Sequence, residues 1–242
     1  MNGYFDIHNH LLPGLDDGSK SMEETRNMLL QAYEEGIRVI TATPHYAAGR
    51  SMITADMIRA VLEEVTSTLE EETKEIEIIL GNELEYNSEM IAALKSGEAL
   101  TIDNTRYILV EFKPGDSYSQ IRIGLYQCIM SGYIPILAHA ERYHCLVKMP
   151  GLVEELVKLG AYIQINISSF LGRIFDSRAS FCHKLMKRGL IHFLGTDAHG
   201  SKKRVPRMKK AIHMIRKRYG KEIVQRLLWD NPMIMLENKL IN

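Results

Sequence analysis

The sequence predicts an α/β fold whose parallel strands close into a barrel. Three observations carry that expectation. Seven short runs rich in β-branched and apolar residues recur along the chain, longer amphipathic segments separate them, and 242 residues pass with no Pro/Gly/Ser-rich linker, low-complexity tract or repeat. Such alternation also suits an open sheet, but its steadiness over residues 1–242 favours a single barrel domain. With 45% hydrophobic and 25% charged residues the chain can bury an ordinary soluble core.

Strands and helices alternate in order, and the residues just beyond each strand matter most. The first run, YFDI at 4–7, leads into His8-Asn9-His10 and then Asp16-Asp17-Gly18. A helical pattern covers 21–35, and the second run, RVITAT at 38–43, ends in Pro44-His45. After a helical pattern at 54–74, IEIIL at 76–80 runs into Gly81-Asn82-Glu83. Only a short helix, 90–95, separates it from YILV at 107–110, which continues into Glu111. A helix at 119–131 precedes IPILA at 134–138 and the segment His139-Ala140-Glu141-Arg142. Residues 152–159 read as a helix and YIQI at 162–165 as the sixth strand. A helix at 177–188 leads to HFL at 192–194, then to Asp197-Ala198-His199, and helices at 207–218 and 221–227 complete the chain.

Polar groups at the C-terminal ends of barrel strands meet at one mouth. In His-x-His the two imidazoles leave the strand on the same side, because side chains alternate. Of the nine histidines, His8, His10, His45, His139 and His199 fall at strand ends, while His144, His183, His192 and His213 form no set with them. Each piece alone has a bland reading: Asp17 suits a cap for the helix beyond it. Glu111 resists one, because a carboxylate inside ILVEF is costly to bury unpaired. Five histidines and four carboxylates at six of seven strand ends point to a metal centre.

The segments DIHNHLLPGLDDGSKS, TATPHY, GNELEY, LVEF, AHAERY, QINISSFLG and GTDAHGSKKRVP, in order from residue 6 to about 206, carry a family resemblance. The chain resembles the PHP (polymerase and histidinol phosphatase) superfamily. Within it, the early DDG, AHAERY and Arg204 point to the manganese-dependent tyrosine-protein phosphatases of bacterial capsule and exopolysaccharide operons. The resemblance implies a distorted (β/α)7 TIM-like barrel with three metal ions. His8, His10 and Asp197 would hold one, with Glu83 bridging to a second completed by Glu111 and His139. Asp17, His45 and His199 would hold the third. Arg142 and Arg204 match the arginines that take substrate phosphate. Two departures, Asn82 before the bridging Glu83 and Gly195-Thr196 before Asp197, change no ligand.

Imidazole and carboxylate ligation without thiolate suits manganese, iron or zinc, and the resemblance implies manganese among them. Three divalent ions against four carboxylates leave a surplus of charge matched to a phosphate dianion. The implied reaction is hydrolysis of phosphotyrosine on a bacterial tyrosine kinase, at its C-terminal tail, by a metal-activated hydroxide with no covalent phosphoenzyme. Arg142 and Arg204 orient the phosphate, and Asp197 or His199 stands near the leaving group. The rival readings are a small-molecule phosphatase acting on histidinol phosphate, a nuclease or phosphodiesterase, and a metal-binding regulatory module without turnover.

Other signals bound these expectations. Zero formal net charge gives no electrostatic reason to expect nucleic acid as a partner. No run is long enough to span a bilayer, and no basic leader precedes an apolar stretch at the N-terminus. Cys128, Cys145 and Cys182 read as reduced thiols of a cytoplasmic protein. Oligomeric state is left open, a homo-oligomer included. Cys182 and Arg188 fit Cys-x5-Arg, but HKLMK between them is helical and lacks the glycines of a phosphate cradle. Residues 202–221 hold ten Lys/Arg and no acid, a solvated face or a dock for an acidic or phosphorylated tail. Gln164, Asn166 and the loop 168–172 are expected at the mouth without binding metal, and Phe170 suits either an aromatic wall there or the core.

Overall fold

The computed structural model describes residues 3–172 and 176–241. β1 (Tyr4–Asn9) leads to α1 (Met22–Glu34), whose start is fixed by Ser21: its hydroxyl accepts the Glu24 amide at 3.2 Å. β2 (Ile37–Ala42) stops at Thr43-Pro44 and resumes as β3 (His45–Tyr46), since Pro44 has no amide to donate to a ladder. The helix expected at 54–74 is two, α2 (Ala55–Thr68) and α3 (Glu70–Thr73). They break at Leu69, which is fully buried while the acidic segment after it stays in solvent. β4 (Glu77–Leu80) likewise stops at Gly81-Asn82 and resumes as β5 (Glu83–Glu85).

Next along the chain are α4 (Met90–Ser96), β6 (Tyr107–Glu111), α5 (Tyr118–Met130), β7 (Ile134–Leu137), α6 (His144–Lys148), α7 (Gly151–Leu159) and β8 (Tyr162–Asn166). Then come α8 (Ser177–Lys187), β9 (Phe193–Gly195), α9 (Lys209–Tyr219), α10 (Lys221–Gln225) and α11 (Asn231–Leu236). Nothing in the sequence pattern marks α6 or α11.

All strand pairings are parallel, in the order β1-β2-β4 and β3-β5-β6-β7-β8-β9. Because β3 continues β2 and β5 continues β4, the described strands make seven staves. The ends meet where Asn9 bridges Ala198 and the Asp197 amide donates to His8 O at 2.8 Å. This is a distorted seven-stave barrel with a short seam. Gly195 permits that seam, since a Cβ there would lie 2.8 Å from the His8 Cβ.

Alternation along the staves sorts the apolar residues into two cores. Phe5, Ile7, Tyr107, Leu109, Ile136, Tyr162 and Phe193 form one cluster, inside the barrel, with Met235 of α11. Ile40, Ile108, Val110, Leu137, Ile163 and Leu194 belong to the larger cluster beneath the helices. The interior packing ends where Leu109 gives way to Glu111, two residues on, and polar side chains take over. No described helix is long and apolar enough to cross a membrane.

Candidate metal centre

The structure brings all nine expected ligands into one pocket at the C-terminal ends of the staves. His8 and His10, from β1, place their Nε2 atoms 3.1 Å apart. Glu83 is the hub: Oε2 lies 3.1 Å from His8 Nε2, 3.2 Å from His10 Nε2 and 3.2 Å from His45 Nδ1, and Oε1 lies 2.6 Å from His139 Nε2. Asp197 Oδ1 completes one corner at 3.5 Å from His8 and 3.6 Å from His10. Glu111 lies 3.2 Å from His45 and 3.6 Å from His139. On the outer side Asp17 reaches His45 at 3.3 Å and His199 at 3.2 Å.

Eight of the nine fall into three groups within metal-holding range: His8, His10, Glu83 and Asp197; His10, Asp17, His45 and His199; His45, Glu83 and Glu111. His139 lies outside these groups, beside Glu83 at 2.6 Å and Glu111 at 3.6 Å, and His45 stands with those two carboxylates where His139 was expected. The arrangement fits cations better than it fits itself. Glu83 Oε2 and His199 Nε2 are buried and make no hydrogen bond, although nitrogens or oxygens surround both. Buried polar atoms are rarely left so. Atoms that aim at a shared point and not at each other are what ligation requires, and nitrogen and oxygen donors without thiolate suit a first-row divalent ion.

A second layer holds these side chains in place. Asp16, adjacent to the expected ligand Asp17, turns inward: its carboxylate lies 2.7 Å from His10 Nδ1 and accepts the His45 amide at 2.9 Å. Sequence spacing could not separate the two aspartates. The signal was Gly18, where a Cβ would collide with His10 O at 2.2 Å, so the loop must fold back on the histidine. Asn82 joins the two strand breaks, donating to Pro44 O at 2.9 Å and accepting the Leu100 amide at 2.8 Å, and so sets Glu83. Gln164 accepts the His139 amide at 2.6 Å and donates to Asn166, which donates to Asp197 at 2.8 Å. Glu141, as buried as Glu83, accepts the Asn166 amide and the Ser169 hydroxyl.

The electrostatics stem from this packing. Burial alone would depress His10, but the carboxylates of Asp16 and Glu83 beside its two nitrogens outweigh it and raise it to about 10. The same balance raises His139 to about 9, while burial among neighbouring cations takes His199 down to about 4. Burial works to raise Glu83 too, yet the surrounding imidazoles hold it well below the usual carboxylate range. Backbone strain gathers here as well: His139, Asp197 and Arg204 have φ of 33°, 53° and 47°, which non-glycine residues rarely adopt.

Both expected phosphate arginines reach the same carboxylate. Arg142 Nη2 donates to Asp197 Oδ2, and Arg204 Nη2 to Asp197 Oδ1 at 2.6 Å. Phe170, 2% exposed, belongs to the core against the His183 ring and is not a wall of the mouth. Cys182 is buried on α8 with its thiol pushed up by burial, and Arg188 is paired with Glu154 on the surface. They make no phosphate cradle. The basic segment 202–221 is not one surface: Lys202, Lys203 and Arg204 lie at the mouth, whereas Arg216 and Lys221 line a cavity of about 800 Å³ where β1 and β2 begin.

A family profile described as capsular polysaccharide synthesis, CpsB/CapC, matches residues 4–237. The chain belongs to the CpsB/CapC family. It is 32% identical over 241 residues to the tyrosine-protein phosphatase CpsB of Streptococcus pneumoniae, covering 98% of this chain and 99% of that protein. A crystal structure described as YwqE from Bacillus subtilis and CpsB from Streptococcus pneumoniae, unique metal-dependent tyrosine phosphatases, superposes with a TM-score of 0.90 at 31% identity, over 98% of this chain and 96% of that one. Histidinol phosphate phosphatase from Lactococcus lactis, at 15% identity, shares the fold with a TM-score of 0.62 over 91% of this chain and 94% of that one. Residues 4–237 therefore carry the PHP-type barrel of a metal-dependent CpsB/CapC phosphatase.

Proposed function

We propose that residues 1–242 act as one domain, a cytoplasmic protein-tyrosine phosphatase that removes phosphate from the C-terminal tail of a bacterial tyrosine kinase and so regulates capsular or exopolysaccharide synthesis. Three manganese ions are assigned: one to His8, His10, Asp197 and Glu83, one to Glu83, Glu111 and His139, and one to Asp17, His45 and His199. The observation that carries this reading is the convergence of eight residues in metal-holding groups, with His139 against Glu83, beside two arginines that share Asp197. Neither a regulatory module nor a diesterase needs that pairing.

Bound divalent ions would supply a water of lowered pKa and positive charge for the phosphoryl oxygens. The chain's own groups do the rest. Arg142 and Arg204 exchange Asp197 for the phosphate, each offering a planar fork that fixes its orientation. Gln164 and Asn166 hold Asp197 in place from behind while the arginines are engaged. Asp16 accepts the Nδ1 proton of His10, so that a cation bound at Nε2 would displace only the second proton and leave one tautomer. Asp197, a carboxylate between two arginines, and His199, held neutral by burial among cations, stand nearby without a proton to give, so water supplies the proton taken up by the departing phenolate oxygen.

The test is turnover with added manganese after chelation, on a phosphotyrosine peptide, histidinol phosphate and a phosphodiester. The peptide is expected to turn over fastest, with metal analysis near three manganese ions per chain. Faster hydrolysis of histidinol phosphate would overturn the assignment.

A further inference from the structure

We propose that the cavity of about 390 Å³ between Lys20 and the 199–204 loop is a subsite for an anionic side chain, a glutamate or aspartate, of the same peptide that carries the phosphotyrosine. This deepens the phosphatase reading and rests on it. The cavity is continuous with the metal centre, because Asp17, His199 and Arg204 line it as well. Its remaining wall carries three lysines and one acid, Glu24. Lys20, Lys202 and Lys203 are exposed, and Lys202 and Lys203 make no ion pair with any described residue. The two acids of the lining face away from the lysine ammonium groups: Glu24 is turned to the backbone, accepting the Lys20 amide at 3.0 Å and the Ser201 amide at 3.3 Å, and Asp17 faces His45 and His199, so three lysine charges stand against one unpaired carboxylate.

The lysines are also presented on a braced loop. The His199 amide donates to Arg204 O at 2.8 Å, closing the loop, and Gln31 of α1 donates to Ser201 O at 2.9 Å. Arg204 then takes its left-handed backbone turn, with φ 47°, and sends its guanidinium inward to Asp197. One short loop thus separates its cations: Arg204 serves the reacting phosphate, and Lys202 and Lys203 remain outside for a second charge. An acidic residue close in sequence to the phosphotyrosine would meet them while the aryl phosphate sits in the pocket.

The experiment compares wild type with Lys202→Gln/Lys203→Gln on three probes: a phosphotyrosine peptide flanked by glutamates, the same peptide with glutamines, and 4-nitrophenyl phosphate. Lys20 is left alone because its ammonium donates to Asp16 O. In the double variant KM for the acidic peptide is expected to rise about fivefold, as loss of two surface ion pairs implies, with kcat and the other two probes unchanged. Added salt should erase the wild-type preference for the acidic peptide. Equal KM for acidic and neutral peptides in wild type, or an equal change on all three probes, overturns the subsite. Wild-type failure on 4-nitrophenyl phosphate and both peptides would instead sink the phosphatase reading, so the two failures are distinguishable.

Discussion

Two histidines at opposite ends of the barrel, His10 at the mouth and His192 at the floor, are moved in opposite directions by their surroundings. Burial depresses both. At the mouth, Asp16 and Glu83 reverse the effect and carry His10 to about 10. At the floor nothing does: His192 accepts the Ile163 amide at 3.1 Å, packs edge-on against Tyr162 at 4.9 Å, and falls to about 4. The mouth is a place where buried atoms lack neutral partners and charges crowd. The floor is a place where polar atoms are paired and apolar groups fill space. Tyr107 OH donates to Lys239 O at 2.6 Å, and the Ile241 amide donates to Tyr162 OH at 2.8 Å, so the C-terminal segment seals that end. One end stores the chemistry and the other the stability, and the contrast can be broken by substitution.

The largest effect is expected at the hub. Glu83→Ala removes the carboxylate that lies within 3.2 Å of His8, His10, His45 and His139. It should lower kcat/KM on a phosphotyrosine peptide by on the order of 10³. Manganese is expected to raise the Tm of the wild type and not that of the variant, since stabilisation by a ligand requires an intact site. Retained turnover with retained metal would place the reaction elsewhere.

Tyr107→Ala is the counterpart at the floor. Loss of a fully buried aromatic from the interior cluster is expected to cost about 4 kcal/mol of stability, measured by denaturant unfolding. Turnover per folded molecule should stay within about twofold of wild type. A Tyr107→Ala protein that is stable but inactive would dissolve the division between the two ends.

That division also explains what could be read from the sequence. The seven staves and the meeting of nine polar side chains at one mouth were legible because period-two runs and strand-end polar residues are local patterns. The inward turn of Asp16 was not, because Asp16 and Asp17 are chemically identical neighbours and only the fold-back of Gly18 onto His10 tells them apart. Nor was the floor: its seal uses the backbone oxygens of Lys239 and Ile241, which no side-chain pattern marks. Leu69 broke an otherwise continuous helical pattern by the demand of burial alone.

Asp16→Asn sharpens the mouth side of the contrast. The amide keeps the shape but loses the charge that fixes His10, and a support of this kind typically sets 10- to 100-fold of metal affinity. The expected outcome is a manganese dependence shifted upward by about that factor, with kcat restored at saturating metal. Restoration is the informative part. A kcat that stays low at any manganese concentration would make Asp16 more than a support.

The smallest effect belongs to His192 and tests the floor by pH. Its folded value of about 4 lies below the ordinary 6.5, so the unfolded chain binds a proton that the folded chain refuses between those limits. Stability is therefore full above pH 6.5 and declines as pH falls toward 4. With its part exposure allowed for, the loss comes to about 2 kcal/mol. Protonation of imidazole and carboxylate ligands would release metal at the mouth over this range, so the comparison is made on chelated protein between wild type and His192→Gln. Glutamine can still accept the Ile163 amide but cannot take up the proton. The variant's denaturant midpoint should fall less steeply from pH 6.5 to 4 than that of the wild type. Parallel pH profiles would mean that the acid sensitivity comes from the mouth alone, and that the floor contributes packing without titration.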